Sequence, residues 1–177
     1  MNTQELLQQL DKEQLIQLIT LYAKNLIAMD GVWFQSIENK FGMEEAMEHD
    51  CNIWRSFSVI EAKRIKAFLH LPEHCGLQGL ATALPYRYNA TVNKDDLVLT
   101  QDVLLYRVVA CRVQAARERK QMELHPCKPA GLVEYTEFAK AIDDRIHCTC
   151  ISCFPDVTDS NCACVWKFTL QDTQNLE

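Results

Sequence analysis

Apolar residues in the first part of the chain recur every three or four positions. Leu15, Leu18, Ile19, Tyr22, Leu26, Met29 and Trp33 keep that spacing, which predicts a long helix from about Lys12 to Lys40 with one apolar face. Asp11 stands where an N-cap belongs, and residues 3–10 predict a short amphipathic turn before it. Gly31 marks an expected kink and Phe41-Gly42 a C-terminal stop. Ala46, Met47, Ile53, Trp54, Phe57, Ile60, Ile65 and Phe68 predict the buried side of a second helix, Met43 to His70, which Leu71-Pro72 ends. Two long helices joined by a short turn make an αα-hairpin. A shorter helix is expected from about Cys75 to Leu84, closed by Pro85.

The period then changes. Tyr86 to Asn93 alternates like a strand, Asn93 to Asp96 reads as a polar turn, and Leu97 to Val109 is rich in Val, Leu and Tyr. Arg112 to Met122 is helical again, and a loop around Pro126-Cys127-Lys128-Pro129 leads into a helix from about Leu132 to Ile142. Two more strands, about Arg145 to Ser152 and Cys162 to Thr169, close the pattern before a polar tail. The order predicts an α+β fold: an N-terminal helical hairpin on a small antiparallel sheet of about four strands with interspersed helices. A single domain, 1–177, is expected, mainly helical over 1–85, carrying the sheet and two helices over 86–170, with a tail at 171–177.

Composition narrows the function classes. With 48% hydrophobic and 24% charged residues the chain reads as an ordinary globular protein, and its formal net charge of -6 argues against nucleic-acid binding through a basic face. The basic stretch Arg112 to Lys120 is interleaved with Gln, Ala and Glu and reads as a solvated helix face. The N-terminus lacks the basic and apolar regions of a secretory signal, and no wholly apolar run of about 20 residues is present. A cytoplasmic, non-membrane protein is expected.

The chemistry concentrates in cysteine. Of nine cysteines, Cys148, Cys150, Cys153, Cys162 and Cys164 lie between Arg145 and Phe168, and Cys111 and Cys127 precede them. In a reducing compartment such a density points to metal binding or reactive thiols before disulfides. Cys150-x-x-Cys153 is a spacing that lets one loop present two sulfurs to one ion, and the i,i+2 pairs Cys148/Cys150 and Cys162/Cys164 place both thiols on one strand face. Zinc is the first expectation, and an iron–sulfur cluster the alternative. His125, two residues before Cys127, is a reserve ligand; His147 beside Cys148 points to the opposite strand face. A Cys–His nucleophilic pair stays open, since its members need not be close in sequence. Serine-hydrolase elbows, phosphate-binding glycine loops and H-E-x-x-H helices are absent from the sequence.

Several segments occur together: Met29-Asp30-Gly31-Val32-Trp33-Phe34, Lys40-Phe41-Gly42, Glu61-Ala62-Lys63-Arg64-Ile65, Cys111-Arg112-Val113-Gln114, Pro126-Cys127-Lys128, Cys150-Ile151-Ser152-Cys153 with Pro155-Asp156, and Cys164-Val165-Trp166-Lys167-Phe168. Over nearly the whole chain they resemble a family of small uncharacterised prokaryotic cytosolic proteins. Those are in turn distantly similar to L-2-amino-thiazoline-4-carboxylic acid hydrolases, a likeness that rests mainly on the C-terminal half. The resemblance favours Cys111, Cys127, Cys150, Cys153 and Cys164 as metal ligands, and it implies hydrolysis of a cyclic amidine or amide.

On the helices, Asp30 falls between Met29 and Val32, where a carboxylate either finds a partner or has its pKa raised. Asp30 and Glu61 are the candidate proton carriers beside a metal-bound water, with Glu61–Arg64 pairing as the plainer use of Glu61. Three readings follow: a metal-binding protein with a small-molecule pocket and hydrolase activity, a ligand- or redox-sensing module without turnover, or a metal that only staples the C-terminal strands.

Overall fold

The structure is a computed structural model, and it describes residues 2–171. It is α+β. Helix α1 (Thr3–Gln8) precedes the long hairpin of α2 (Lys12–Phe41) and α3 (Met43–Phe68); α4 (Gly76–Ala83) and a 3-10 turn (Leu84–Tyr86) follow. Strands β1 (Lys94–Leu99) and β2 (Leu104–Ala110) lead to α5 (Arg112–Arg119) and α6 (Lys128–Ile142), and β3 (Ile146–Cys153) and β4 (Cys164–Leu170) complete the sheet. The four strands are antiparallel in the order β1-β2-β4-β3. The polar tail expected after Leu170 lies, beyond Gln171, outside the described residues.

Helix signals in the sequence are used as written. The Asp11 side chain accepts the Gln14 N–H at 2.8 Å while the Gln14 side chain accepts the Asp11 N–H at 2.9 Å, a reciprocal cap. Gly42, at φ 94°, both ends α2 and starts α3, a backbone angle that suits glycine best. Helix α2 runs unbroken through Gly31, where the nearest atom to an added Cβ is 3.8 Å away.

Helix α6 is the centre of the molecule, packed between α3 and the sheet. Its residues Ala130, Gly131, Tyr135, Phe138, Ala139 and Ile142 are buried, as are Leu104, Tyr106 and Val108 of β2 and Val165, Trp166 and Phe168 of β4. Gly131 sits where a Cβ would come within 2.8 Å of Trp166 Cζ2, so the glycine sets how closely α6 approaches β4. The helix starts at Lys128, earlier than the apolar period indicated, because Pro129 fits the first turn of a helix.

Two further kinds of expectation fail, burial of the helix stripes and the placement of strands. In α2 only Ala23 is buried; Leu15, Ile19, Tyr22, Leu26, Met29 and Trp33 face outward. In α3, Ile53, Ile60 and Phe68 are likewise exposed, while Ala46, Met47, Asp50, Trp54, Ser58, Glu61, Ala62 and Ile65 form the inner face. Periodicity locates an apolar stripe without saying what covers it. The second failure is the strand expected over Tyr86 to Asn93, which is a series of turns. Its donors are taken by turns and by a distant carboxylate: Asn89 O accepts from Val92 and Asn93 N–H at 3.1 and 2.9 Å, and Tyr88 N–H goes to Glu61 Oε1 at 3.1 Å. Asp95 and Asp96, expected in a turn, belong to edge strand β1, and the hairpin turn is instead closed by Thr100 N–H to Val103 O at 2.8 Å. Charged side chains on β1 suit an edge open to water.

Candidate functional site

Sheet topology gathers the cysteines. Cys111 follows the end of β2, Cys164 opens β4 and Cys153 ends β3; in this antiparallel order those three ends lie at the same rim of the sheet. Cys153 and Cys164 are direct register partners. A register shift between Cys150 and Ser152 turns the strand there. Ser152 Oγ accepts N–H groups of Thr158 and Asp159, both at 3.0 Å, and so holds the loop that leads back to β4. Cys127 arrives from the other side as the N-cap residue of α6.

Cys111, Cys127, Cys153 and Cys164 line one cavity of about 330 Å³, enclosed by α2, α3, α5, α6 and the sheet rim. Cys150 is outside that lining and stands beside Cys153 and Lys128. All nine cysteines are free thiols. Hydrogen bonding with Cys127, more than burial, pushes the Cys153 thiol up. Hydrogen bonding with Cys153 and then burial do the same to Cys164, whose sulfur also receives the Trp166 indole N–H at 3.1 Å. Burial raises Cys111.

Four sulfurs in one wall fit the expected ligand set in composition. Their spacing is a separate matter. Tetrahedral zinc with sulfurs at about 2.3 Å places them about 3.8 Å apart. Among the described residues, only His74, Asp143 and Asp144, two of them exposed, bring three possible donors within 4.8 Å of one another. The thiols as placed are therefore not gathered round a single ion.

A tighter arrangement surrounds Cys127. His125 Nδ1 is 3.1 Å from Cys127 Sγ, and its Nε2 is 3.1 Å from Asp50 Oδ2. His125 and Asp50 are both buried. Phe34 tilts against the imidazole, ring centroids 4.6 Å apart. Gln114 of α5 holds the loop: its Nε2 donates to His125 O at 2.7 Å and to Cys127 Sγ at 3.1 Å, and its Oε1 accepts the His125 N–H at 3.1 Å. With Asp50 at Nε2, the nitrogen left for the thiol proton is Nδ1. The row thiol, imidazole, carboxylate has the logic of an activated nucleophile, and Cys127 is the N-cap residue of α6.

Asp30 lines the same cavity, and burial, then the nearby Asp50 carboxylate, push it up to about 6 against the opposing pull of His125. Glu134 on α6, pushed up to about 7 chiefly by burial, also faces the cavity. The second candidate proton carrier, Glu61, is elsewhere: it accepts from Arg87 Nε at 2.8 Å and Tyr88 N–H, and it is not in the cavity lining. Arg87, not Arg64, is its partner. The basic stretch of α5 is not uniformly solvated either, for Arg117 is buried and pairs with Glu38 through both nitrogens, at 2.9 and 2.5 Å.

The sequence marks His125 as a reserve ligand and gives Asp50 no part in the cysteine chemistry. It gave Gln114 no part. The signal was present in Cys111-Arg112-Val113-Gln114 and in His125-Pro126-Cys127, but only the fold shows that the second motif is clamped by the first.

The profile of a family of unknown function, DUF6125, matches residues 8–170. The chain belongs to that family. No curated protein and no solved structure matches it. The matched span takes in every residue of the cavity wall named above, so the site lies wholly within the family's shared region.

Proposed function

We propose that this DUF6125 protein is a thiol-dependent hydrolase of a small molecule, with Cys127 as nucleophile, His125 as its base and Asp50 orienting the imidazole. The observation that carries the reading is the unbroken row Cys127 Sγ, His125, Asp50, each step 3.1 Å, at the wall of a 330 Å³ cavity. The distant likeness to L-2-amino-thiazoline-4-carboxylic acid hydrolases expected from the sequence would, if real, make the scissile bond the C–N bond of a cyclic amidine or amide.

The chemistry balances as acyl transfer to water. The Cys127 proton passes to His125 Nδ1, and the sulfur adds to the electrophilic carbon. Collapse expels the nitrogen, which takes the proton back from His125, leaving a thioester or thioimidate on Cys127. Water, deprotonated by His125, attacks that carbon and the thiol is restored. Asp30, which lines the same cavity and whose pKa is pushed up to about 6, is the proposed group for exchanging a proton with the departed nitrogen.

The test uses p-nitrophenyl acetate as an acyl donor and an amide and amidine panel for turnover. A burst of about one p-nitrophenol per chain, an acetyl group mapped by mass spectrometry to Cys127, and loss of both in Cys127→Ser are expected. An unchanged burst in Cys127→Ser sinks the assignment.

A second reading keeps the metal. Cys111, Cys127, Cys153 and Cys164 share one wall, with His125 in reserve and Cys150 next to Cys153, and this favours a zinc or iron–sulfur site built by closing the rim around an ion. Bound zinc would supply Lewis acidity. Elemental analysis and a visible spectrum of anaerobically purified protein decide it: about one zinc per chain, or iron with sulfide and brown colour, supports the metal, and neither supports the free thiol.

A further inference from the structure

Helix α2 exposes a stripe that nothing among the described residues covers. Leu15, Ile19, Tyr22, Leu26, Met29 and Trp33 are 37, 61, 62, 41, 61 and 63% exposed. Their separations run four, three, four, three, four, a heptad seam of alternating a and d positions. Ala23, the one buried residue, lies on the neighbouring face toward α3. The seam is thus additional to the packing that holds the hairpin together.

We infer that this seam is the interface of a homodimer in which two copies of α2 pack antiparallel. The spacing reads the same in both directions, so a two-fold axis beside Lys24 sets Leu15 against Trp33 of the other copy, Ile19 against Met29 and Tyr22 against Leu26. Antiparallel coiled coils pair an a position with a d position in this way, and each seam residue finds an apolar partner within the same set. Val32, 68% exposed, flanks the seam and faces Leu18 of the other copy. Asn25 meets its own copy beside the axis, a polar contact of the kind that fixes register.

The area suffices. A half-exposed large apolar side chain offers roughly 100 Å², and six of them clear the about 500 Å² per partner that a specific interface needs. Leu26, Met29 and Trp33 also form one wall of an apolar groove with Ile53, Phe57 and Tyr88, which extends the surface onto α3. A lipid occupant fits less well. Although α2 is long and apolar enough by composition to cross a membrane, a span would carry Lys24 and Asp30 into its middle.

Light scattering during gel filtration of the full chain is expected to give twice the monomer mass. Leu15→Lys alone and Trp33→Glu alone are each expected to shift it to monomer, raising the dissociation constant at least 100-fold, while the double variant regains the dimer because the antiparallel register sets the two charges together. A parallel pair would put like charges together and show no rescue. A wild-type monomer at 100 µM, a dimer untouched by either single variant, or flotation of the wild type with phosphatidylcholine vesicles would each overturn the proposal. Haloacetamide labelling of Cys127 reports on the cavity separately, since none of the altered residues lines it.

Discussion

Helices α2 and α6 divide the work of the molecule. The first is the longest element, 30 residues, and buries one side chain; the second has 15 residues and buries seven. Both show apolar residues at helical spacing, yet α6 organises the core and carries the Cys127 end of the site, whereas α2 lends the cavity one edge and turns its seam outward. The difference teaches that an apolar stripe reports the presence of a covering surface, and the neighbouring elements decide whether that surface belongs to the same chain.

The sharpest contrast is between two tryptophans. Trp166, buried against Gly131 and Tyr135, should cost about 3–5 kcal/mol when replaced by alanine. Trp33→Ala should change the stability of the monomer by no more than about 0.5 kcal/mol. Urea unfolding at low protein concentration measures both, and similar losses would erase the distinction between the helices.

Asp30 is where α2 does enter the interior. Its pKa rises on folding from the ordinary 3.8 to about 6, so the folded state holds its proton longer than the unfolded one. Stability attributable to this group is therefore lost as pH rises from about 4 to 6, and the carboxylate is a burden above that. Asp30→Asn should stabilise the protein by up to about 3 kcal/mol at pH 7.5 and by almost nothing at pH 3.5. A gain that does not depend on pH would place the effect outside ionisation.

The glycines give the smaller pair of effects. Gly131→Ala puts a methyl against the Trp166 ring and should cost about 1–3 kcal/mol. Gly31→Ala meets no atom closer than 3.8 Å in a continuous helix and should gain about 0.5–1 kcal/mol. Thermal unfolding of the two variants should move in opposite directions.

Much of this was legible in advance. The caps and the glycine stop fixed the helical hairpin, since Asp11 and Gly42 act through backbone geometry that needs no distant partner. Strands β3 and β4 follow the expected stretches for the same local reason, whereas Leu97 to Val109, read as one strand, is folded back on itself as the β1–β2 hairpin. Tyr86 to Asn93 was misread because Glu61, 27 residues before Tyr88, takes the donor a strand would have used, and no local pattern carries that information. The candidate site divides likewise. Four of the five expected cysteines converge because strand order places three element ends at one rim, while Cys150 departs where the register shifts beside it. Asp50 and Gln114 reach the His125–Cys127 loop only through tertiary packing, so even where a motif holds Gln114 its spacing along the chain does not show the contact.

The three tryptophans fall one to each region that matters. Trp166 is in the sheet rim with its indole on the Cys164 sulfur, Trp54 stacks on Tyr88 at the opposite wall, and Trp33 stands on the seam. Intrinsic fluorescence is thereby a built-in three-channel reporter. If the proposals hold, chemistry at the thiols should quench the first, a ligand entering beside Tyr88 should perturb the second, and dilution of the proposed dimer should shift the third to the red. Single phenylalanine replacements separate the channels without any added label.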